Sequence, residues 1–136
     1  MSLADPPTPS MHPGGYAELA TEIRSLGLLH PRPRFYAVLL AVDLTALAAT
    51  VAGMLVLRDS WWAVLLAPVL AVVSTQLGFL GHEAGHRQVT RRRGVTLALG
   101  LLCGNLLNGM SWSWWIDKHN AHHARPNDLA TDPDVA

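Results

Sequence analysis

The sequence has a single cysteine, Cys103, in 136 residues. One cysteine cannot form an intrachain disulfide, which removes the small disulfide-stapled class and leaves a reduced, structural thiol. Charge is also scarce. Asp, Glu, Lys and Arg make up 15% of the chain, ten basic against ten acidic. That balance provides no bulk positive field to recruit nucleic acid. There is no internal repeat, and no ferredoxin, cytochrome or flavin motif. Charge is most nearly absent from two long stretches. Phe35 to Leu57 holds one charged residue, Asp43, and Trp61 to Leu80 holds none.

Half of the residues are hydrophobic, and they fall in blocks. A spanning helix needs about 20 apolar residues, so residues 35–57 and 61–80 both qualify as transmembrane segments. A chain of this length has too little polar surface to bury two such helices in a soluble core. The expectation is an all-α membrane protein whose two spans form a tight helical hairpin. The turn between them is Arg58 to Ser60, and Trp61 and Trp62 begin the second span where an aromatic belt would sit.

Residues 1–14, rich in Pro, Gly and Ser, read as a disordered leader. Residues 15–34 read as a cytoplasmic amphipathic helix with Tyr16, Leu19, Ile23 and Leu26 at helical spacing, loosened at Gly27 and stopped by His30 to Arg34. Arg24, Arg32 and Arg34 precede the first span, and Arg87 and Arg91 to Arg93 follow the second. The positive-inside rule then puts the N-terminus and the end of the second span on the cytoplasmic face. A third apolar run, residues 95–110, carries Asn105, Asn108 and three glycines. At 1.5 Å per residue it reaches only about 24 Å, short of the roughly 30 Å hydrocarbon core, so an in-plane or re-entrant placement is expected.

Five of the seven histidines lie in two compact clusters. His82 and His86 sit in "GHEAGH"; His119, His122 and His123 sit in "KHNAHH". Residues four apart share a helix face, so His82 and His86, and likewise His119 and His123, can point at one site. Ionisable groups beside apolar helices mark function by default. The first cluster also fits H-E-x-x-H, a zinc hydrolase signature with Glu83 as general base. A single catalytic zinc takes three protein ligands, here His82, His86 and either His119 or Asp132, and leaves the remaining histidines without a role. Five imidazoles suit two metal ions better, and imidazole accepts iron as well as zinc. Asp117 or Asp128 could orient a ligand histidine. Trp112, Trp114 and Trp115 read as interfacial anchors, with the lining of a tunnel as the lesser alternative. Asp132 and Asp134 flank Pro133 in a turn.

"GHEAGH" after a two-helix hairpin, followed by "KHNAHHARPNDLATDPDV", resembles the integral-membrane fatty acid desaturase family, whose first two histidine boxes are H-x-x-x-H and H-x-x-H-H. "HARPNDLATDPDV" resembles the stretch after box two in bacterial members, and the likeness runs from Tyr16 to the end. The resemblance implies an O2-dependent oxidoreductase that introduces a double bond into an acyl chain. It implies two non-haem irons held in part by His82, His86, His119, His122 and His123, with both boxes on the cytoplasmic face. It implies a membrane lipid or acyl substrate, a separate ferredoxin- or cytochrome-type electron donor with its reductase, no nucleic acid, and a place in the bacterial cytoplasmic membrane. Residues 35–136 would be part of the desaturase domain. The family's third box does not occur in this sequence, so the expectation is an N-terminal part that is inactive alone or needs a complementing C-terminal half. Two readings stand against this one: an intramembrane H-E-x-x-H zinc metalloprotease, and a non-catalytic membrane remnant or partner subunit.

Overall fold

The computed structural model describes residues 13–135. The leader expected over residues 1–14 lies outside them except for Pro13 and Gly14, which open the first helix. Helix α1 spans Pro13–Ser25. Gly27 then takes φ 68, and the Leu28 N–H reaches back to the Ile23 carbonyl at 3.4 Å. This left-handed residue after the last turn ends the helix, as a glycine does readily. Tyr16 and Leu19 on α1, and Leu26 just after it, are exposed. The chain forms two compact units, one up to His30 and one from Pro31 onward; the remainder concerns the second.

Helix α2 runs Pro33–Val56 with proline in its first turn, where a missing N–H costs nothing. A turn follows, and Ser60 caps the next helix by accepting the Trp62 N–H at 3.3 Å. That helix opens as a 3₁₀ segment, Trp61–Leu66, and continues as α3, Ala67–Gly85. Residues 33–56 and 61–85 are both long and apolar enough to cross a membrane. Val38, Val42, Leu55, Trp61 and Val72 are among many large apolar side chains left exposed on them. In lipid such side chains need no protein partner.

Helix α3 is the central element. Val73, Leu77, Leu80 and Ala84 recur at three- and four-residue steps and are buried, the stripe of a helix packed along one face. It packs against α2 and against the third apolar run. That run is α4, Arg93–Gly100, whose hydrogen bonding loosens to a π-helical turn over Leu101–Leu107. Small residues let the backbones approach: a Cβ on Gly81 would stand 3.2 Å from the Cys103 Cβ. Cys103 is wholly buried, in keeping with a structural thiol.

After Leu107 the chain turns sharply. Gly109 has φ 65, and the axis through Arg93–Leu107 meets that of α5, Trp112–Ala124, at 109°. Both asparagines serve this bend. Asn108 donates to the Cys103 carbonyl at 2.8 Å, and Asn105 accepts the Trp112 N–H at 3.0 Å. They satisfy backbone groups that the break would otherwise orphan. The expected short third run is thus one arm of a bent pair with α5. The described residues hold helices and no strand, in accord with the all-α expectation.

Trp112 closes the arrangement. A Cβ on Gly100 would lie 2.1 Å from the Trp112 ring, whereas one on Gly94, in the same helix, would meet nothing. Gly100→Ala should therefore force the indole or the helix aside and destabilise the protein by about 1–3 kcal/mol. Gly94→Ala should be neutral or slightly stabilising through helix propensity, by under ~1 kcal/mol. Thermal melts of the two variants in detergent check the contrast, and equal melts would refute the packing account.

Candidate metal centre

The last turn of α3 carries the first histidine pair. His82 lies within the helix and His86 at its C-cap, its N–H bonded to the His82 carbonyl at 3.1 Å. Arg87 follows with φ 59. The Gln88 N–H reaches the Glu83 carbonyl at 3.0 Å and the Arg87 N–H that of Ala84 at 3.0 Å. This is the six-to-one helix stop usually made by glycine. With arginine there the left-handed conformation costs about 1–2 kcal/mol, strain held immediately beside the site.

The second cluster lies on α5, which Ser111 caps by accepting the Trp114 N–H at 3.4 Å. The bend after Leu107 brings this helix back to the end of α3. His86 and His119, 33 residues apart in sequence, place their Nε2 atoms 2.9 Å apart. His119 Nε2 is also 3.0 Å from His123 Nε2. The His82 ring centroid lies 4.5 Å from that of His86 and 4.8 Å from that of His119. Nitrogens of His82, His86 and His119 fall within 4.8 Å of one another. His122 sits to one side, its ring 6.4 Å from His119 and 5.6 Å from His123. His82, His86, His119 and His123 therefore converge, while His122 lies beside them with Asp132 and Asp134. A set of imidazole nitrogens converging in this way suits a divalent metal of intermediate softness.

Two carboxylates flank the cluster. Asp132 is fully buried. Both of its oxygens lie 3.0 Å from His122 Nδ1, and they accept the N–H groups of Asn127 at 2.7 Å and Asp134 at 2.9 Å. The Asp134 N–H first, then the His122 ring and the Asn127 N–H, hold its carboxyl down at about 2. Asp132 is thus apart from the His82, His86 and His119 group, and a role as third zinc ligand with them does not fit. It lies against His122 Nδ1 instead, with Asp134 Oδ2 3.3 Å from the same nitrogen. The sequence pointed to Asp117 or Asp128 for this contact. Asp117 is exposed, and Asp128 ties its own turn through the Ala130 N–H and the Thr131 hydroxyl. The pairing of His122 with Asp132 spans ten residues and a turn that includes Asn127 at φ 64, a separation that no helical periodicity reveals.

On the other side Glu83 receives the Tyr36 hydroxyl at 3.2 Å and lies 3.4 Å from His82 Nδ1. The tryptophans also differ from expectation. Only Trp114 is strongly exposed, with Lys118 Nζ 5.9 Å from its ring. Trp112 is buried and stacks on Trp115, and Trp115 stacks on His119 with centroids 4.4 Å apart. Positions i, i+3 and i+7 of one helix share a face, so the ladder follows from α5 being helical. A cleft of about 440 Å³ runs between α3 and the π-helical turn, lined by Thr75, Gly78, Phe79, Met110, Trp115 and, at its limit along α3, His82.

Burial, then the nearby rings of His82, His123, His86 and His122, push His119 down to about 4. Burial, then His82 and His123, lower His86 as well. Between about 6.5, the ordinary value, and about 4 the unfolded chain takes up a proton that folded His119 refuses. Stability therefore rises with pH across that window and is lost as the pH falls through it. Metal-free chain in detergent should melt at progressively lower temperature on acidification over this range, and His119→Gln should lessen the fall. Circular dichroism melts read both, and a melting temperature unmoved across the window would contradict the burial of neutral His119.

The sequence model of the family described as "Fatty acid desaturase" matches residues 59–136. A Delta(8)-fatty-acid desaturase of Helianthus annuus is 34% identical over 120 residues, covering 88% of this chain and 26% of that protein. A Delta(6)-fatty-acid desaturase of Caenorhabditis elegans is 42% identical over 74 residues, 54% of this chain and 17% of its own length. A Delta 8-(E)-sphingolipid desaturase of Komagataella phaffii is 36% identical over 81 residues, 60% and 15%. The chain thus spans about a quarter or less of the length of these curated relatives. They are eukaryotic, and lend no support to a bacterial membrane as the setting. No solved structure matches the chain.

Proposed function

The chain belongs to the fatty acid desaturase family, and from that premise we propose that it supplies the two-box part of a membrane acyl desaturase centre. In this reading His82, His86, His119, His122 and His123 hold non-haem iron, two ions in the complete site, with O2 as co-substrate. The observation that carries it is the meeting of His86 and His119, from boxes 33 residues apart, at 2.9 Å. When bound, the iron would supply the oxidising chemistry that removes two hydrogens from neighbouring methylenes of an acyl chain.

The residues have separable tasks. Imidazole is a ligand that stays neutral and resists oxidation better than a thiolate, and partial burial beside the other rings favours the neutral form of His86 and His119. Asp132 fixes the His122 ring through Nδ1. Trp115 lies on His119 and also lines the cleft, so one side chain braces the site and shapes the chain-binding wall. The cleft walls are mostly apolar and include His82, which suits an acyl chain laid along α3 from the lipid side. Ser74 to His82 on the helix spans about 12 Å, enough for several methylenes. The arginines around box one, against one at the hairpin turn, support a cytoplasmic placement of this face. Electrons would come from a separate donor protein and its reductase.

The zinc-hydrolase reading gains no support from the family match, and both Glu83 oxygens face Tyr36 or His82. Metal analysis separates the two. Chain purified from iron-replete membranes should carry iron and lose most of it in His122→Ala/His123→Ala. Asp132→Ala should weaken metal binding roughly 10- to 100-fold. One zinc per chain, unaffected by the double replacement, would overturn the desaturase site and favour the hydrolase.

A further inference from the structure

Glu83 stands next to a proposed ligand yet does not join the converging nitrogens. Its Oε2 accepts the Tyr36 hydroxyl at 3.2 Å, across 47 residues from α2 to α3. Its Oε1 lies 3.4 Å from His82 Nδ1. The side chains of His82 and Glu83 are only about one-third exposed, at 32% and 35%. The His82 ring packs edge to face with those of His86, His119 and Trp115, centroids 4.5, 4.8 and 5.6 Å apart. The same end of α2 is pinned to the chain just after box one, where the Arg32 N–H donates to the Gln88 carbonyl at 3.1 Å.

Resting on the metal reading above, we propose that Tyr36 and Glu83 are positioning residues: Tyr36 aims the Glu83 carboxylate, and Glu83 holds His82 as its Nδ1–H tautomer with Nε2 turned to the metal site. A neutral imidazole has one N–H, and the partner of one nitrogen decides which nitrogen is left to bind a metal. A carboxylate on Nδ1 does this and raises the basicity of the other nitrogen. The glutamate of the H-E-x-x-H pattern therefore acts through His82 and does not activate water. The arrangement also gives the first span a part in the site, since Tyr36 is the fourth residue of α2. His82 and His122 then match: each has a carboxylate against Nδ1, Glu83 next in sequence and held by Tyr36 of the neighbouring helix, Asp132 reached through a turn.

The test reads the ring directly. The chain, labelled with ¹⁵N-histidine and held without metal in detergent micelles, is examined by long-range ¹⁵N–¹H correlation, with His82 assigned by its loss in His82→Gln. The expected result is an Nδ1–H tautomer for His82. Glu83→Ala should convert it to Nε2–H, Glu83→Gln should retain it because the amide carbonyl still accepts, and Tyr36→Phe should leave a mixture. Should Glu83→Ala fail to fold, the parent tautomer and Tyr36→Phe still give the answer. An Nε2–H tautomer in the parent, or a tautomer unmoved by Glu83→Ala and Tyr36→Phe, overturns the proposal. Cobalt(II) titration tests the metal reading separately. Binding by the parent that is lost in His82→Gln upholds that reading even if the tautomer result is adverse. A roughly 10- to 100-fold weaker affinity in Glu83→Ala supports both. A parent that binds no cobalt counts against the metal reading, while the tautomer still decides the positioning.

Discussion

The face of Trp112 against the bare Cα of Gly100 is the contact on which the rest of the site depends. No side chain of any size fits there, so the indole fixes how close α5 comes to α4. Trp112 stacks on Trp115 and Trp115 on His119. The position of the second histidine cluster is thereby set by packing well before any metal is involved. Removing a methyl's worth of space at one glycine would propagate along this ladder, because packed cores shift in discrete steps.

A bend in a membrane chain exposes backbone groups that lipid cannot satisfy. Here the two asparagines that interrupt an otherwise apolar run take up that work, with Gly109 supplying the left-handed backbone. The π-helical turn belongs to the same compromise. Its looser winding rotates the chain just before the break, and π-turns of this kind recur at functional sites. What looks in the sequence like a defective third span is the device that carries the second histidine cluster back to the first.

Electrostatics then shapes what the cluster can do. Burial and the neighbouring rings lower the pKa of His86 and His119, so the neutral, ligating form of these two persists on mild acidification. The two carboxylates stand outside this group, each against a ring Nδ1. Among the described residues, Asp43 is the buried acid with an unpartnered oxygen; it is on α2 within the span and takes no part in that arrangement.

The sequence by itself determined the two spans, the hairpin between them, and the five histidines, because each is a local signal: a long uncharged run, a short polar turn, a spacing of three or four. It also determined that the third run is short. The tertiary structure decided which carboxylates serve the rings. Asp132 lies ten residues from His122 around a turn, and Tyr36 lies 47 residues from Glu83 on another helix; neither separation has a period that a sequence pattern could register. It also decided the tryptophans. The same indole can sit at an interface or under a histidine, and only the 109° turn of α5 against α4 puts Trp112 and Trp115 inside, where stacking and burial hold them.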